Sequence, residues 1–210
     1  MFQDNHTKIE EIKTALADYH PKSELMNDPN LDGMRRASVL IPFYINSGDL
    51  SIVFMKRPDD QSVHGGQISF PGGGRDKIDK TALHTALRET EEEIGVDRNQ
   101  IDVWGKLTVD RVLASQYLVY PFVGLIPSPY SFNLNEDEVE KLIIIPYDYL
   151  IDLKNLSIEM FNWKGRRFRT YIFTFEKEKI WGLTARLLVN LITLINLGKE
   201  SGALFRKIVK

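Results

Sequence analysis

Hydrophobic and polar residues alternate with two different periods in the first quarter of the chain. Residues 8–19 are predicted to form an amphipathic helix, because their apolar side chains fall on one helical face. Residues 37–45 and 50–55 are rich in β-forming side chains, and the turn-forming residues 46–49 between them predict a β-hairpin. The stretch 21–32 follows neither period, and we expect it to be irregular.

A short strand and a helix are predicted on either side of a glycine run. The strand, residues 67–70, ends at Pro71-Gly72-Gly73-Gly74, where proline cannot donate to a β-ladder and glycine adopts angles that other residues avoid. A helical pattern then covers residues 79–94, with Asp79 placed to cap the N-terminus and Gly95 placed to end the helix.

The second half of the chain is predicted to contain mainly strands and to end in a helix. Strand-like segments lie at 101–109, 116–125 and 141–145, followed by a helical turn at 147–153 and a hairpin formed by 156–162 and 167–175. Residues 183–197 are predicted to form a core-facing helix, because a polar stripe interrupts the apolar run and the run is too short to cross a bilayer. Together these elements predict an α/β fold of the α+β type, with a mixed sheet covered by helices.

Composition narrows the class of protein. A length of 210 residues predicts a single domain over 1–210, and a net charge of -2 gives no long-range attraction for DNA or an acidic membrane. The chain has no cysteine, which excludes disulfides, thiolate metal sites and a cysteine nucleophile. Residues 1–10 lack the pattern of a secretory signal. We therefore expect a cytoplasmic protein without nucleic-acid or membrane partners.

Candidate chemistry lies on the predicted helix at 79–94. Glu89, Glu92 and Glu93 project to one side of this helix, where three carboxylates repel one another unless a cation compensates their charge. Oxygen ligands without histidine or cysteine favour Mg²⁺ or Mn²⁺ over zinc. Arg88 is placed to pair with one carboxylate and hold its rotamer. The alternative is a solvated acidic helix face, which is what most charge runs are.

The residues around this cluster resemble the Nudix box, GX5EX7REUXEEXGU, where U is a bulky aliphatic residue. Six residues match the second half of the box in register: Arg88, Glu89, Glu92, Glu93, Gly95 and Val96. Thr90 occupies an aliphatic position, and Lys80 stands where the upstream glutamate is expected when Gly74 is the first glycine. Asp79 takes that role when Gly73 is the first glycine and the loop is one residue longer. The resemblance implies an α/β/α sandwich with a catalytic loop-helix-loop over residues 72–96.

A second resemblance concerns the coenzyme A pyrophosphatase branch of this family, whose motif is LLTXR(S/A)X3RX3GX3FPGG. The matching residues are Arg57, Gly66, Phe70, Pro71, Gly72 and Gly73, whereas Pro58 and Ser62 replace the small residue and the second arginine. Residues 85–87, 121–124 and 181–185 are also similar to that branch, so that the resemblance covers about residues 36–197. Residues 1–32 are expected to form an N-terminal helical extension.

The resemblance implies the roles of the acidic residues. Mg²⁺ or Mn²⁺ held by Glu89, Glu93 and the carbonyl of Gly73 would neutralise a pyrophosphate and lower the pKa of a water. Glu92 is a third ligand or the general base, and Arg88 supports the catalytic carboxylates. A further acidic residue from outside the box often completes such sites. The candidates for it are Glu136, Asp137 and Glu138.

Candidate substrate-binding residues lie upstream of the box. Arg57, His64, Gln67 and Arg36 are expected to bind a nucleotide substrate similar to coenzyme A. For Arg36 and its neighbour Arg35 a solvated strand entry is an equal alternative, and His64 has the alternative of bracing its loop. Other candidate substrates are ADP-ribose, a dinucleotide or an oxidised nucleotide, and a non-catalytic nucleotide-binding module is a third hypothesis. A homodimer contact is available to the N-terminal helix and to the hairpin around Gly165.

Overall fold

The structure is a computed structural model that describes residues 5–21, 33–59, 65–112, 115–163 and 165–196. His64 therefore lies outside the described residues. The same holds for most of the stretch expected to be irregular, residues 22–32, and for the last predicted helical residue, Leu197.

The described residues form helices and strands that alternate along the chain. The helices are α1 (Asn5–Ala17), α2 (Ala82–Ile94), α3 (Tyr147–Ile151) and α4 (Gly182–Ile195). The strands of the first half are β1 (Arg35–Asn46), β2 (Asp49–Lys56), β3 (Ile68–Ser69), β4 (Gly72–Gly74), β5 (Asp102–Lys106) and β6 (Asp110–Val112). The strands of the second half are β7 (Tyr117–Leu125), β8 (Lys141–Pro146), β9 (Leu156–Trp163), β10 (Arg166–Phe175) and β11 (Glu178–Ile180).

The main sheet has eight strands and is mixed. Its path runs β3-β2-β1-β7-β5, while β8 pairs with β2, β4 with β1 and β6 with β7. The pair β1–β7 is parallel, and the other pairs in this sheet are antiparallel. The long strand β1 is therefore central, with β7 along one side and both β2 and β4 along the other.

Helices cover both faces of this sheet. Alternate side chains of β1 point to opposite faces, so that Leu40 packs in one cluster with Ile94 of α2. Phe43 packs in a second cluster with Ile12 of α1 and Leu188 of α4. The result is an α/β/α sandwich, as the sequence predicts. The predicted N-terminal extension thus shares the main hydrophobic core, because Ile12 is fully buried in it.

A second, three-stranded sheet of order β11-β10-β9 packs beside the first. The Thr184 hydroxyl of α4 donates to the carbonyl of Ile68 in β3 (3.1 Å), which ties the last helix to the segment that precedes the glycine run. Within the ranges given above, no helix combines the length and the apolar character needed to cross a membrane.

Three of the sequence expectations need correction. The helix begins at Ala82 with Thr81 as its N-cap, because the Thr81 side chain accepts the His84 N–H, so that Asp79 is not the cap. The glycine run is not only a turn: it pairs with residues 37–39 as strand β4. The strand expected at 101–109 is shorter, because β5 ends at Lys106 and a separate strand, β6, begins only at Asp110. Both strand assignments depend on pairing with distant segments, and the periodicity within one segment does not predict such pairing.

Candidate active site

The glycine run brings a strand close to α2 because it lacks side chains. Gly72 has a φ of 151°, and a Cβ there would lie 2.3 Å from the carbonyl oxygen of Ser38 in β1. Only glycine avoids that clash. At the other end of α2, Gly95 adopts the left-handed conformation with a φ of 71° and donates to the carbonyl of Glu91. These two glycines fix the loop, helix and turn around the acidic cluster.

Glu93 is the most deeply buried carboxylate of the cluster, with 1% of its side chain exposed. One of its oxygens, Oε2, accepts the N–H of Gly72 at 2.7 Å, and Oε1 lies 3.5 Å from Nη2 of Arg57. Burial raises the pKa of Glu93 to about 8, and the Gly72 N–H and the Arg57 charge oppose this rise. A buried carboxylate with so little compensation favours a further cation beside it.

Glu89 lies directly on Gly73. A Cβ at residue 73 would be 2.5 Å from Oε2 of Glu89, so that the absence of a side chain there makes room for the carboxylate. Burial also raises the pKa of Glu89, while the charge of Arg88 lowers it. Glu89 and Glu93 therefore occupy neighbouring positions along the glycine run, Glu89 at Gly73 and Glu93 at Gly72.

The guanidinium of Arg88 connects the acidic residues. It donates to both oxygens of Asp79 (3.0 Å each), to Glu89 Oε1 (2.7 Å), to Glu92 Oε2 (2.7 Å) and to the carbonyl of Gly74 (3.1 Å). The Asp79 side chain has no exposed surface. Arg88 holds the pKa of Asp79 well below its usual range, and Asp79 raises that of Arg88. Asp79 is thus a buried partner of Arg88, in the position predicted for the longer loop.

Glu92 differs from its two neighbours because 51% of its side chain is exposed. Its carboxylate accepts a hydrogen bond from Arg88, and its charge raises the pKa of Glu89 but is not among the main causes of the shift at Glu93. Among the described residues, no three acidic or histidine side chains lie together in a way that holds a metal ion. The expected convergence of all three glutamates is therefore not seen in this arrangement.

The threonine at the aliphatic position of the motif is explained by the helix itself. Thr90 is fully buried, and its hydroxyl donates to the carbonyl of Ala86 at 2.7 Å. A hydroxyl satisfied in this way fits an apolar environment. The departure from the motif therefore leaves the packing of α2 against the sheet intact.

Comparison with known proteins identifies the family. The NUDIX domain model matches residues 34–176. The chain belongs to the Nudix hydrolase family. It is 35% identical over 181 residues to the protein named uncharacterized Nudix hydrolase NudL in Pectobacterium atrosepticum, covering 83% of this chain and 91% of that protein. A protein of the same name in Yersinia pestis is 37% identical over 157 residues, which are 75% of this chain and 78% of the relative.

The fold agrees with this assignment. The crystal structure of a MutT/nudix family protein from Enterococcus faecalis has a TM-score of 0.50 and 12% identity, covering 94% of this chain and 79% of that chain. Membership of the family, shown by the domain model and the relatives, makes the chain a Nudix pyrophosphohydrolase that acts on a nucleoside diphosphate derivative. Enzymes of this family generally use divalent metal ions.

The oxygen atoms beside the glycine run of this Nudix box fit a hard divalent cation. Glu89 and Glu93 supply two carboxylates with raised pKa values, and the Gly73 backbone lies against one of them. Magnesium is usually held by one or two carboxylates and completes its shell with water and substrate oxygens. Two carboxylates without a complete protein cage therefore match its chemistry.

One acidic residue outside the Nudix box adds to the charge of the site. The charge of Glu138 raises the pKa of both Glu89 and Glu93, whereas neither Glu136 nor Asp137 is among the main causes of these shifts. Its loop is anchored to the end of α2, since the N–H of Asn135 donates to the carbonyl of Glu93 at 3.0 Å. Of the three candidates named from the sequence, Glu138 is thus the one whose charge acts on both Glu89 and Glu93.

The predicted substrate-binding residues Arg57 and Gln67 lie side by side. The N–H of Arg57 donates to the carbonyl of Gln67 (3.0 Å), which continues the antiparallel register of the Met55–Ser69 pair. Side chains opposite one another in such a register share a face. Since Arg57 reaches Glu93, Gln67 lies on the face of the sheet that carries the Nudix box.

Arg36 is exposed near the other end of the glycine run. Its carbonyl accepts the N–H of Arg75 at 2.9 Å, and Ser38, two residues further along β1, is opposite Gly73. Alternation along β1 places Arg36 on the same face as Leu40, which packs with α2. Arg35 points to the opposite face, where its guanidinium lies over the ring of Tyr117 at 4.3 Å.

Proposed function

We propose that this Nudix hydrolase cleaves the diphosphate linkage of coenzyme A or its derivatives, with Mg²⁺ or Mn²⁺, to give phosphopantetheine and adenosine 3',5'-bisphosphate. The observation that carries the proposal is the pairing of Arg57 with Gln67 next to Glu93. Both residues belong to the segment that resembles the coenzyme A pyrophosphatase motif. A cation and an amide therefore flank the carboxylates at which the diphosphate is cleaved.

Two carboxylates would hold the metal, and their neighbours keep them in place. Glu93 is fixed by the N–H of Gly72, and Glu89 is fixed by Arg88 and by the surface of Gly73. A divalent cation bound there supplies positive charge beside the diphosphate and makes a water more acidic. The Gly73 carbonyl is the third proposed ligand.

Glu92 is the proposed general base, with a role as third metal ligand as the alternative. Its half-exposed carboxylate is open to water, and Arg88 Nη1 holds it at 2.7 Å. A general base must lie within hydrogen-bond reach of the water that it deprotonates, and an accessible carboxylate leaves room for that water. Arg88 thus links the metal-binding Glu89 to Glu92.

The cations around the site suit a substrate with several phosphates. Arg57 has a third of its side chain exposed (33%), so that it reaches both Glu93 and solvent. Arg36 is exposed on the same face of the sheet, beyond Gly73. Coenzyme A carries a diphosphate and a 3'-phosphate, and arginine recognises such groups in a bidentate manner. We assign Arg57 to the diphosphate and Arg36 to a second phosphate.

Incubation of the purified protein with coenzyme A and Mg²⁺ tests the proposal, with product identification by chromatography and ³¹P NMR. We expect adenosine 3',5'-bisphosphate and phosphopantetheine, and no release by the Glu93→Gln variant prepared in the same way. Dephospho-coenzyme A, which lacks the 3'-phosphate, should be cleaved less efficiently. Absence of adenosine bisphosphate release from coenzyme A would exclude the proposal.

A second candidate substrate class is another nucleoside diphosphate derivative, such as ADP-ribose, a dinucleotide or an oxidised nucleotide. Ser62, which replaces the second arginine of the coenzyme A motif, favours it. Turnover of one of these compounds, together with no cleavage of coenzyme A, would establish this class.

The cytoplasmic location and the homodimer expected from the sequence stay predictions. Cell fractionation tests the location, and measurement of the molecular mass in solution tests the homodimer.

A further inference from the structure

His84 lies in the first turn of α2, close to Asp79 but away from the carboxylates assigned to the metal. Its Nδ1 is 3.1 Å from Asp79 Oδ1, and its Nε2 is 3.5 Å from Nη1 of Arg98. Its backbone N–H is held by the N-cap Thr81 at 3.1 Å. The imidazole is thus fixed at both ring nitrogens and at the main chain.

The two neighbours of the ring determine where its hydrogen is. Arg88 holds the pKa of Asp79 well below its usual range, so that the Asp79 carboxylate is ionised and only accepts hydrogen bonds. Nδ1 must therefore carry a hydrogen. The guanidinium of Arg98 has only donors, so that a hydrogen bond from its Nη1, 3.5 Å away, uses Nε2 as the acceptor.

Arg98 is itself held in position by an acidic partner. Its guanidinium pairs with Glu91, and its backbone N–H donates to Glu91 Oε1 at 3.3 Å. The contacts run from Glu91 through Arg98 and His84 to Asp79, and from Asp79 to Arg88. This chain of contacts joins the outer surface of α2 to the guanidinium that supports the catalytic carboxylates.

We propose that His84 is a positioning residue whose Nδ1–H orients the Asp79 carboxylate and, through it, Arg88. Arg88 in turn sets the positions of Glu89 and Glu92. The effect on turnover rests on the proposed function, whereas the state of the ring and the geometry of Asp79 do not.

The ring state is tested by two-dimensional ¹H–¹⁵N NMR of the metal-free protein. The chain has 4 histidines, so that the spectrum of the His84→Leu variant assigns the His84 signals by subtraction. We expect the His84 signals to show a hydrogen on Nδ1. A ring with its only hydrogen on Nε2 would overturn the proposal, and this readout needs no substrate.

The positioning role is tested by the affinity for Mn²⁺ alone, measured by electron paramagnetic resonance, and by kcat and KM with a cleaved diphosphate substrate. Residues that orient the ligands of a metal typically contribute 10- to 100-fold, and since His84 acts through two others we expect about fivefold weaker Mn²⁺ binding and about tenfold lower kcat in His84→Leu. KM should change little, because no substrate contact is removed.

Two conservative variants and one distant control separate positioning from folding. The amide nitrogen of His84→Asn replaces the Nδ1 donor and should restore Mn²⁺ affinity and kcat to within about threefold of the unmodified protein, whereas His84→Gln, which replaces Nε2, should not. The exposed His20 follows α1 on the other side of the sheet, and His20→Leu should leave both quantities unchanged. Unchanged Mn²⁺ affinity in a folded His84→Leu, or a folded His84→Asn without recovery, would contradict the proposal.

Discussion

The carboxylate of Glu93 accepts the backbone N–H of Gly72 at 2.7 Å, which joins the last turn of α2 to the glycine run that precedes the helix. Both residues are buried. The same carboxylate has only the partly exposed Arg57 as a cationic neighbour, at 3.5 Å. The bond therefore holds a charge in place without fully compensating its loss of hydration, which is the condition under which a metal ion binds strongly.

The stability of the metal-free protein should fall as the pH rises from about 4.5 to about 8. Burial raises the pKa of Glu93 from 4.5 to about 8, so that in this window the native state binds a proton that the unfolded state has lost. When the native state binds more protons, the free energy of unfolding decreases with pH. Urea unfolding in the presence of EDTA measures the slope.

The Glu93→Gln variant is the control for this slope, because it removes the titrating group and keeps the shape of the side chain. Its unfolding free energy should depend less on pH within the same window, and Mg²⁺ should stabilise it less than the unmodified protein. Equal slopes for both proteins would show that Glu93 is already ionised at low pH in the native state.

Substitution of Gly73 by alanine should weaken metal binding much more than substitution of Gly74. A Cβ at position 73 would lie 2.5 Å from Oε2 of Glu89, whereas a Cβ at position 74 meets nothing within 4 Å. Since displacement of a ligand by about 1 Å can cost about 100-fold in activity, Gly73→Ala should lose most Mg²⁺-dependent turnover. Gly74→Ala is the matched control, and a comparable loss in both variants would contradict the assigned contact.

Substitution of Arg88 by lysine should lower turnover by about 10- to 100-fold, as is typical for residues that orient metal ligands. Lysine keeps the charge but cannot bind both oxygens of Asp79 and also reach Glu89 and Glu92. It should also lower the unfolding free energy, because Asp79 is completely buried. Steady-state kinetics and thermal unfolding check the two effects. The variant Arg98→Lys serves for comparison, because Arg98 also pairs with a glutamate of α2 but is more exposed than Arg88. Normal turnover by Arg88→Lys would show that charge alone is sufficient.

Replacement of Arg36 by glutamine should raise KM for a substrate with several phosphates, by about 10-fold if one bidentate phosphate contact is lost, with a smaller effect on kcat. Arg35 is the matched control, because it is adjacent in β1 and points to the opposite face, over Tyr117. Steady-state kinetics of the two variants show whether only the face of the sheet that carries the Nudix box contributes to substrate binding. An equal rise in KM would indicate a general electrostatic effect instead of a defined contact.

The sequence was sufficient to predict most helices and strands and the family, because these predictions depend on the spacing of residues within single segments. Helical periodicity predicts α1, α2 and α4 to within about three residues, and the turn chemistry at 46–49 predicts the hairpin of β1 and β2. The order of Arg88, Glu89, Glu92, Glu93 and Gly95 is a property of one segment, so that the resemblance to the Nudix box is visible without a structure. Strand β11 has three residues and no periodic pattern, and it escaped prediction.

The tertiary structure decided which of these residues act together. Helical spacing predicts that three glutamates share one face of a helix, but only the packing of α2 against β4 separates the buried Glu93 and the partly buried Glu89 from the half-exposed Glu92. The same packing makes Asp79 a partner of Arg88 instead of a helix cap, and the register of β2 with β3 brings Gln67 beside Arg57. Periodicity along a segment reports the face on which a side chain lies. Burial and pairing across the fold, which come from contacts between distant segments, decide its charge state and its neighbours.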